Sequence, residues 1–105
     1  MAERTIVSWR DIPAQVIVCA GRRSAKRQLP DRFQQAIDRA AMQAGLTGTD
    51  AYLAEWRRGA PEPCGDDLEA EADAAVAAIE AAWPPERLRA AARAGGREAG
   101  ATDRA

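Results

Sequence analysis

Two apolar regimes follow one another along the chain. β-Branched and aromatic residues cluster between Arg4 and Gly21, and the later apolar positions are mostly alanines at helical spacing. The first regime predicts two strands, 5–9 and 13–20, separated by Arg10-Asp11-Ile12-Pro13 as a hairpin with a short irregular loop. Pro13 has no N–H to give to a ladder, so it belongs at the strand start or beside the loop. In the second strand Val16 and Val18 point one way and Ile17 and Cys19 the other. That pattern suits a central strand, or one covered on both sides. Gly21 then ends the sheet segment, and residues 22–28 read as a polar, basic connection.

Residues 30–44 predict a helix. Pro30 sits where a first helical position would be, Asp31 complements the dipole, and Phe33, Ala36, Ile37, Ala40, Ala41 and Ala44 form one stripe. Gly45 supplies a left-handed stop, with Leu46 folding back onto the last turn. Residues 49–58 fit two periods: Tyr52, Leu53 and Trp56 suit a short helix, and Tyr52, Ala54 and Trp56 suit one strand face. A strand is the preferred reading, because a lone hairpin is marginal and a third strand gives the helix a sheet to cover. A rigid loop over 59–65 precedes a helix over 66–83, with Leu68, Ala72, Ala75, Val76, Ile79 and Trp83 inward and Asp66, Asp67, Glu69 and Glu71 at its positive end. Pro84 and Pro85 stop it, and Pro85 opens a short last helix through Ala92 that buries Leu88 with Ala91 or Ala92. From Gly95 onward there is little to bury, so a disordered tail is expected, with a single domain over 4–93 and the tail over 94–105.

The expected class is therefore α+β: a small antiparallel sheet of two or three strands carrying two main helices and a short C-terminal one. A chain of 105 residues suffices for one such core. The 26 alanines, and fourteen arginines against one lysine, are read as coding bias rather than function. Net charge is −1, but residues 1–59 carry ten basic against six acidic side chains and residues 60–105 five against ten. The two halves can attract each other across the fold, and the basic half also permits an anionic partner.

Two cysteines and no histidine leave the common zinc arrangements without ligands. No apolar run approaches the roughly 20 residues of a membrane span, and no leader pattern precedes the first strand. A cytoplasmic setting with free thiols is expected, without membrane association, metal or cofactor. Arg22, Arg23, Lys26 and Arg27 have two readings: a solvated connection that pairs with the acidic helix start, or an anion site leading into a helix N-terminus. The run lacks interleaved aromatics, which disfavours nucleic acid as the ligand. Asp66, Asp67, Glu69, Glu71 and Asp73 can crowd a helix start without any cation. Cys64 precedes the same helix, a position that can acidify a thiol, but its neighbours are carboxylates and no histidine can serve as base. Cys19 reads as a small apolar strand residue. Common catalytic and nucleotide-binding motifs are absent, which turns the reading from enzyme towards binding module. Trp9, Tyr52 and Trp56 are either core or interface, and Trp9-Arg10-Asp11 and Trp56-Arg57-Arg58 each set an indole beside a guanidinium, the composition of interface hot spots.

Four segments carry a family resemblance: Trp9-Arg10-Asp11-Ile12-Pro13-Ala14-Gln15-Val16, Ala20-Gly21-Arg22-Arg23, the run from Leu29 to Met42, and Thr49-Asp50-Ala51-Tyr52-Leu53-Ala54-Glu55-Trp56-Arg57. Over about residues 4 to 83 the chain resembles the small bacterial "virulence factor" family, a domain that also occurs in conserved virulence factor C. The resemblance supplies no catalytic residues. It implies an accessory protein associated with corrinoid and one-carbon methyl-transfer enzymes. The function expected is a module that docks on a larger protein through Trp9, Arg10, Asp11, Tyr52, Trp56 and Arg57. The alternative is an anion-binding module for nucleic acid or a phosphorylated ligand, using Arg22, Arg23, Lys26 and Arg27. An enzyme using Cys64 ranks third.

Overall fold

The computed structural model describes residues 2–46 and 48–97. It is α+β, with strands β1 (Ala2–Trp9), β2 (Ile12–Ala20) and β3 (Arg23–Gln28), helices α1 (Asp31–Gln43) and α2 (Thr49–Leu53), strands β4 (Trp56–Arg58) and β5 (Glu62–Cys64), and helices α3 (Leu68–Ala82) and α4 (Pro85–Arg93). Among these residues no helix is long and apolar enough to cross a membrane.

The sheet has five antiparallel strands rather than two or three: β3-β2-β1-β4 in order, with β5 also on β1. β2 is the central strand its two-sided apolar pattern predicted. The basic connection expected over 22–28 is instead strand β3. Gly21, at φ 62, turns the chain back, and Ala20 pairs with Arg23. Only Ala25 is buried among the side chains of β3, so its alternation is nearly all polar. Such a strand reads as a loop in sequence, and its charges guard a sheet edge. The segment 49–58 divides between the two predicted periods: Thr49–Leu53 is helix and Trp56–Arg58 is strand, in register with Val7 to Trp9. β5 lies inside the expected 59–65 loop and places Pro63 opposite Glu3 at the sheet margin, where a residue without an N–H is tolerated.

Two cores join at Val76 and Ile79. In the first, α3 lays Leu68, Ala72 and Ala75 across Ala2, Val16, Val18 and Ala25 on one sheet face. In the second, α1 and α4 pack on each other and on the hairpin end of the sheet, enclosing Trp9, Ile12, Leu29, Phe33, Ile37, Trp83 and Leu88. The two long helices therefore anchor different cores, with Val76 and Ile79 of α3 reaching both. The C-terminus of α1 is a complete Schellman stop: Leu46 N–H donates to Ala41 (2.8 Å), Gly45 N–H to Met42 (3.1 Å), and Gly45 is left-handed at φ 74. α3 begins later than its acidic run because the Asp67 carboxylate caps it, accepting from Ala70 N–H at 3.2 Å.

Packing also continues past residue 93. Gly95 and Gly96 are buried, and Gly96 carbonyl accepts the Asp11 N–H at 2.8 Å. Residues 98–105 of the expected tail lie outside the described residues.

Candidate functional site

The hairpin tip and the α2–β4 segment, the two stretches most responsible for the family resemblance, fold onto each other. Trp9 stacks on Tyr52 at 5.6 Å between ring centroids and donates its indole N–H to the Tyr52 carbonyl at 2.9 Å. Tyr52 meets Trp56 edge to face at 6.1 Å. Arg10 has a left-handed backbone, φ 51, which a non-glycine residue adopts at a cost. The surroundings hold it there. Its N–H donates to the Glu55 carbonyl (3.1 Å), Nε to the Glu55 carboxylate (3.0 Å) and a terminal nitrogen to the Gly95 carbonyl (2.9 Å).

These contacts sort the expected docking residues: Trp9 is withdrawn from the surface, whereas Arg10, Asp11 and Arg57 line one open basin. Trp9 is fully buried and is core, Tyr52 and Trp56 are half-buried packing around it, and Arg10 is a clamp between Glu55 and the chain near Gly95. The Trp-Arg composition of an interface hot spot is here the composition of an internal lock. Arg57 and Asp11 remain at the surface, with side chains 60% and 31% exposed and 3.9 Å apart. They line an open basin of about 460 Å³ together with Arg58, Gly59, Trp83 and Arg87. The Arg87 guanidinium lies over the Trp83 ring, 3.8 Å from its centroid, an arrangement that fixes the side chain at the rim. The expected docking residues do not include Trp83, Arg58 or Arg87. Arg58 was visible as half of an arginine pair, whereas Trp83 and Arg87 reach the basin only through tertiary packing.

The basic run does not assemble into one site. By strand alternation and register, Arg23 and Arg27 share the α3 face with Val16, Val18 and Ala25, and Lys26 faces away beside Ile17. Arg27 is bonded to Glu69 and, at 2.8 Å, to Asp73; the Glu69 and Asp73 carboxylates push its pKa further up and hold it charged. Arg23 shares a cleft with Asp66, Asp67 and Glu69, carboxylates that repel an anion. The attraction between the basic and acidic halves is thus realised here, and again in the Arg4 to Glu62 pair at 3.0 Å.

Cys64 is in β5 opposite Ala2, outside helix α3 and its cap. Partial burial, then the Glu71 charge, push its pKa up, with Arg4 opposing. A raised thiol pKa disfavours the nucleophilic thiolate. Cys19 is exposed on the sheet face opposite α3. Iodoacetamide at pH 8 should therefore alkylate Cys19 well before Cys64, as read by peptide mass; equal rates would contradict the packing of β5. The sign for stability also follows: a pKa raised by folding favours the protonated state, so this contribution is intact below the ordinary thiol value and is lost as pH climbs through the folded one. Among the described residues no group of three or more Cys, Asp or Glu side chains is placed to hold a metal ion.

A family model described as Virulence factor matches residues 7–91, a span that runs from β1 to α4 and includes both halves of the lock around Trp9. No curated protein and no solved structure matches the chain.

Proposed function

This chain belongs to the virulence factor family, and we propose that it works as an accessory module that docks on a larger protein through the basin at the hairpin tip. The observation that supports this reading is the rim itself: Arg57 is largely exposed, and Arg58 and Arg87 stand with it around a floor that includes Trp83. Arginine and tryptophan dominate interface hot spots, and a predominantly cationic rim selects an acidic partner surface. Enzymes of corrinoid and one-carbon methyl transfer are the first partners to test, in line with the family resemblance.

Tagged full-length chain should retain one defined protein from lysate of its source cells after nuclease treatment and at moderate salt. An Arg57→Ala/Arg58→Ala double variant should lose that protein, and Cys19→Ser should keep it. Both positions are exposed and lie outside the two cores, so the double variant is expected to fold. Retention by the double variant would remove the basin from the interface. Recovery of nucleic acid alone, released steeply by salt, would instead favour the anion reading at Arg22, Arg23, Lys26 and Arg27. Trp56→Ala is the poorer probe, because it disturbs the packing around Trp9 as well as the surface.

A further inference from the structure

A second cationic feature lies between α1 and α4, away from the basin. The two helices run side by side in the same direction, with Arg32 near Pro85 and Leu88 at one end and Met42 and Gln43 near Arg93 at the other. The groove between them has two adjoining parts, of about 140 and 370 Å³, and Arg39 and Arg89 line both. Four arginines therefore face it: Arg32 and Arg39 from one wall, Arg89 and Arg93 from the other. Its floor is apolar, built from Ala36, Leu88 and Ala92, and no carboxylate lines it. None of the four arginines makes an ion pair among the described residues. This contrasts with Arg4, Arg10 and Arg27, each of which has an acidic partner.

A second, independent observation concerns Arg32. Its Nε is buried and has no hydrogen-bond acceptor, the one such side-chain atom among the described residues. An N–H withdrawn from water without a partner costs free energy, and native structures rarely leave one so. The charge balance has the same character: four uncompensated guanidinium groups around one groove repel each other until an anion arrives. The narrow end of the groove, beside Arg32, lies at the N-terminal turns of both helices, whose dipoles add positive potential there against the first-turn carboxylates of Asp31 and Glu86.

We propose that the α1/α4 groove binds a small phosphate ester, its phosphoryl group held by Arg32, Arg39 and Arg89 and its less polar body lying along Ala36, Leu88 and Ala92. Guanidinium forks match phosphoryl oxygens bidentately, and arginine is the side chain suited to that geometry. The limited volume and apolar floor favour a small ester over a nucleic-acid strand, which needs a longer cationic track with aromatic stacking platforms. The site is separate from the basin, so either can fail without the other.

The test uses the full chain with phenyl phosphate as probe. Phenyl phosphate should shift the side-chain Nε–Hε resonances of Arg32, Arg39 and Arg89 and raise the melting temperature, since a ligand bound only to the folded state stabilises it. Arg39→Ala and Arg89→Ala should each weaken binding about tenfold, the typical loss for one charge-assisted contact, whereas Arg58→Ala should leave it unchanged. Both replaced side chains are exposed, and an unaltered circular dichroism spectrum would verify folding. Inorganic phosphate should bind more weakly than phenyl phosphate; equal affinity would overturn the ester assignment. No shift at Arg32, shifts confined to Arg22 and Arg23, or tighter binding of a ten-nucleotide single strand would each overturn the proposal.

Discussion

Trp9→Ala should destabilise the domain by about 3 to 5 kcal/mol, the cost of truncating a fully buried large aromatic. Trp9 has no exposed surface and is among the largest fully buried side chains. Its ring is enclosed by Tyr52 on one side and Gly96 on another, and Ile12 is its partner across the hairpin. Removing it opens a void between the hairpin tip, Tyr52 and Gly96. Trp9→Phe separates the packing from the hydrogen bond. It keeps most of the ring but removes the indole donor; the Tyr52 carbonyl still accepts from the Glu55 N–H at 3.2 Å, so the loss is that of one hydrogen bond, about 0.5 to 1.5 kcal/mol. Urea denaturation followed by far-ultraviolet circular dichroism measures both. Wild-type stability in Trp9→Ala would return this residue to the surface and reopen it as a docking contact. Loss of partner binding by Trp9→Ala would say nothing about contact, because a domain of this size has only about 5 to 15 kcal/mol of stability in all.

The elements legible in the sequence were those whose own residues supply both the pattern and the stop. α1 carries its stripe from Phe33 to Ala41 and its Schellman glycine, and α4 carries Pro85 at its start, so neither depends on distant contacts to be recognised. β3 was hidden because an edge strand needs few inward apolar residues, and Ala25 is the one it buries. The segment around Tyr52 and Trp56 satisfied two periods because it contains one turn of helix followed by three residues of strand. Each template matched half of it.

The candidate sites divide in the same way. A local run such as Arg22 to Arg27 attracts attention in sequence, yet strand alternation splits it between two faces and Glu69 and Asp73 occupy Arg27. The arginines that share an unneutralised groove are far apart in sequence, at 32, 39, 89 and 93, and only the packing of α4 along α1 brings them together. Trp9 follows the same logic in reverse. Its neighbours Arg10 and Asp11 suggested a surface, but the chain from Tyr52 to Glu55 and again at Gly95 and Gly96 closes over the hairpin tip.

Gly96→Ala should cost about 2 to 5 kcal/mol, although it adds one methyl group near the end of the described chain. Two terms combine. Gly96 has φ 93, a left-handed conformation that costs an L-residue roughly 1 to 2 kcal/mol. The new Cβ would also stand 2.8 Å from Cζ3 and 3.1 Å from Cε3 of Trp9, an overlap worth about 1 to 3 kcal/mol in a packed core. Neither side yields easily, since the indole is held by its hydrogen bond to Tyr52 and Gly96 by the Asp11 N–H. Gly21→Ala is the control: its φ is 62 and a Cβ there meets nothing within 4 Å, so only the conformational term applies. Gly95→Ala falls between them, with φ 73 and a Cβ 3.3 Å from that of Ala44. The expected order of urea midpoints is therefore Gly21→Ala highest, Gly95→Ala next and Gly96→Ala lowest. If Gly96→Ala were no worse than Gly21→Ala, the chain after α4 would not be packed on Trp9, and the domain would close at residue 93 with the Arg10 clamp missing its contact at Gly95.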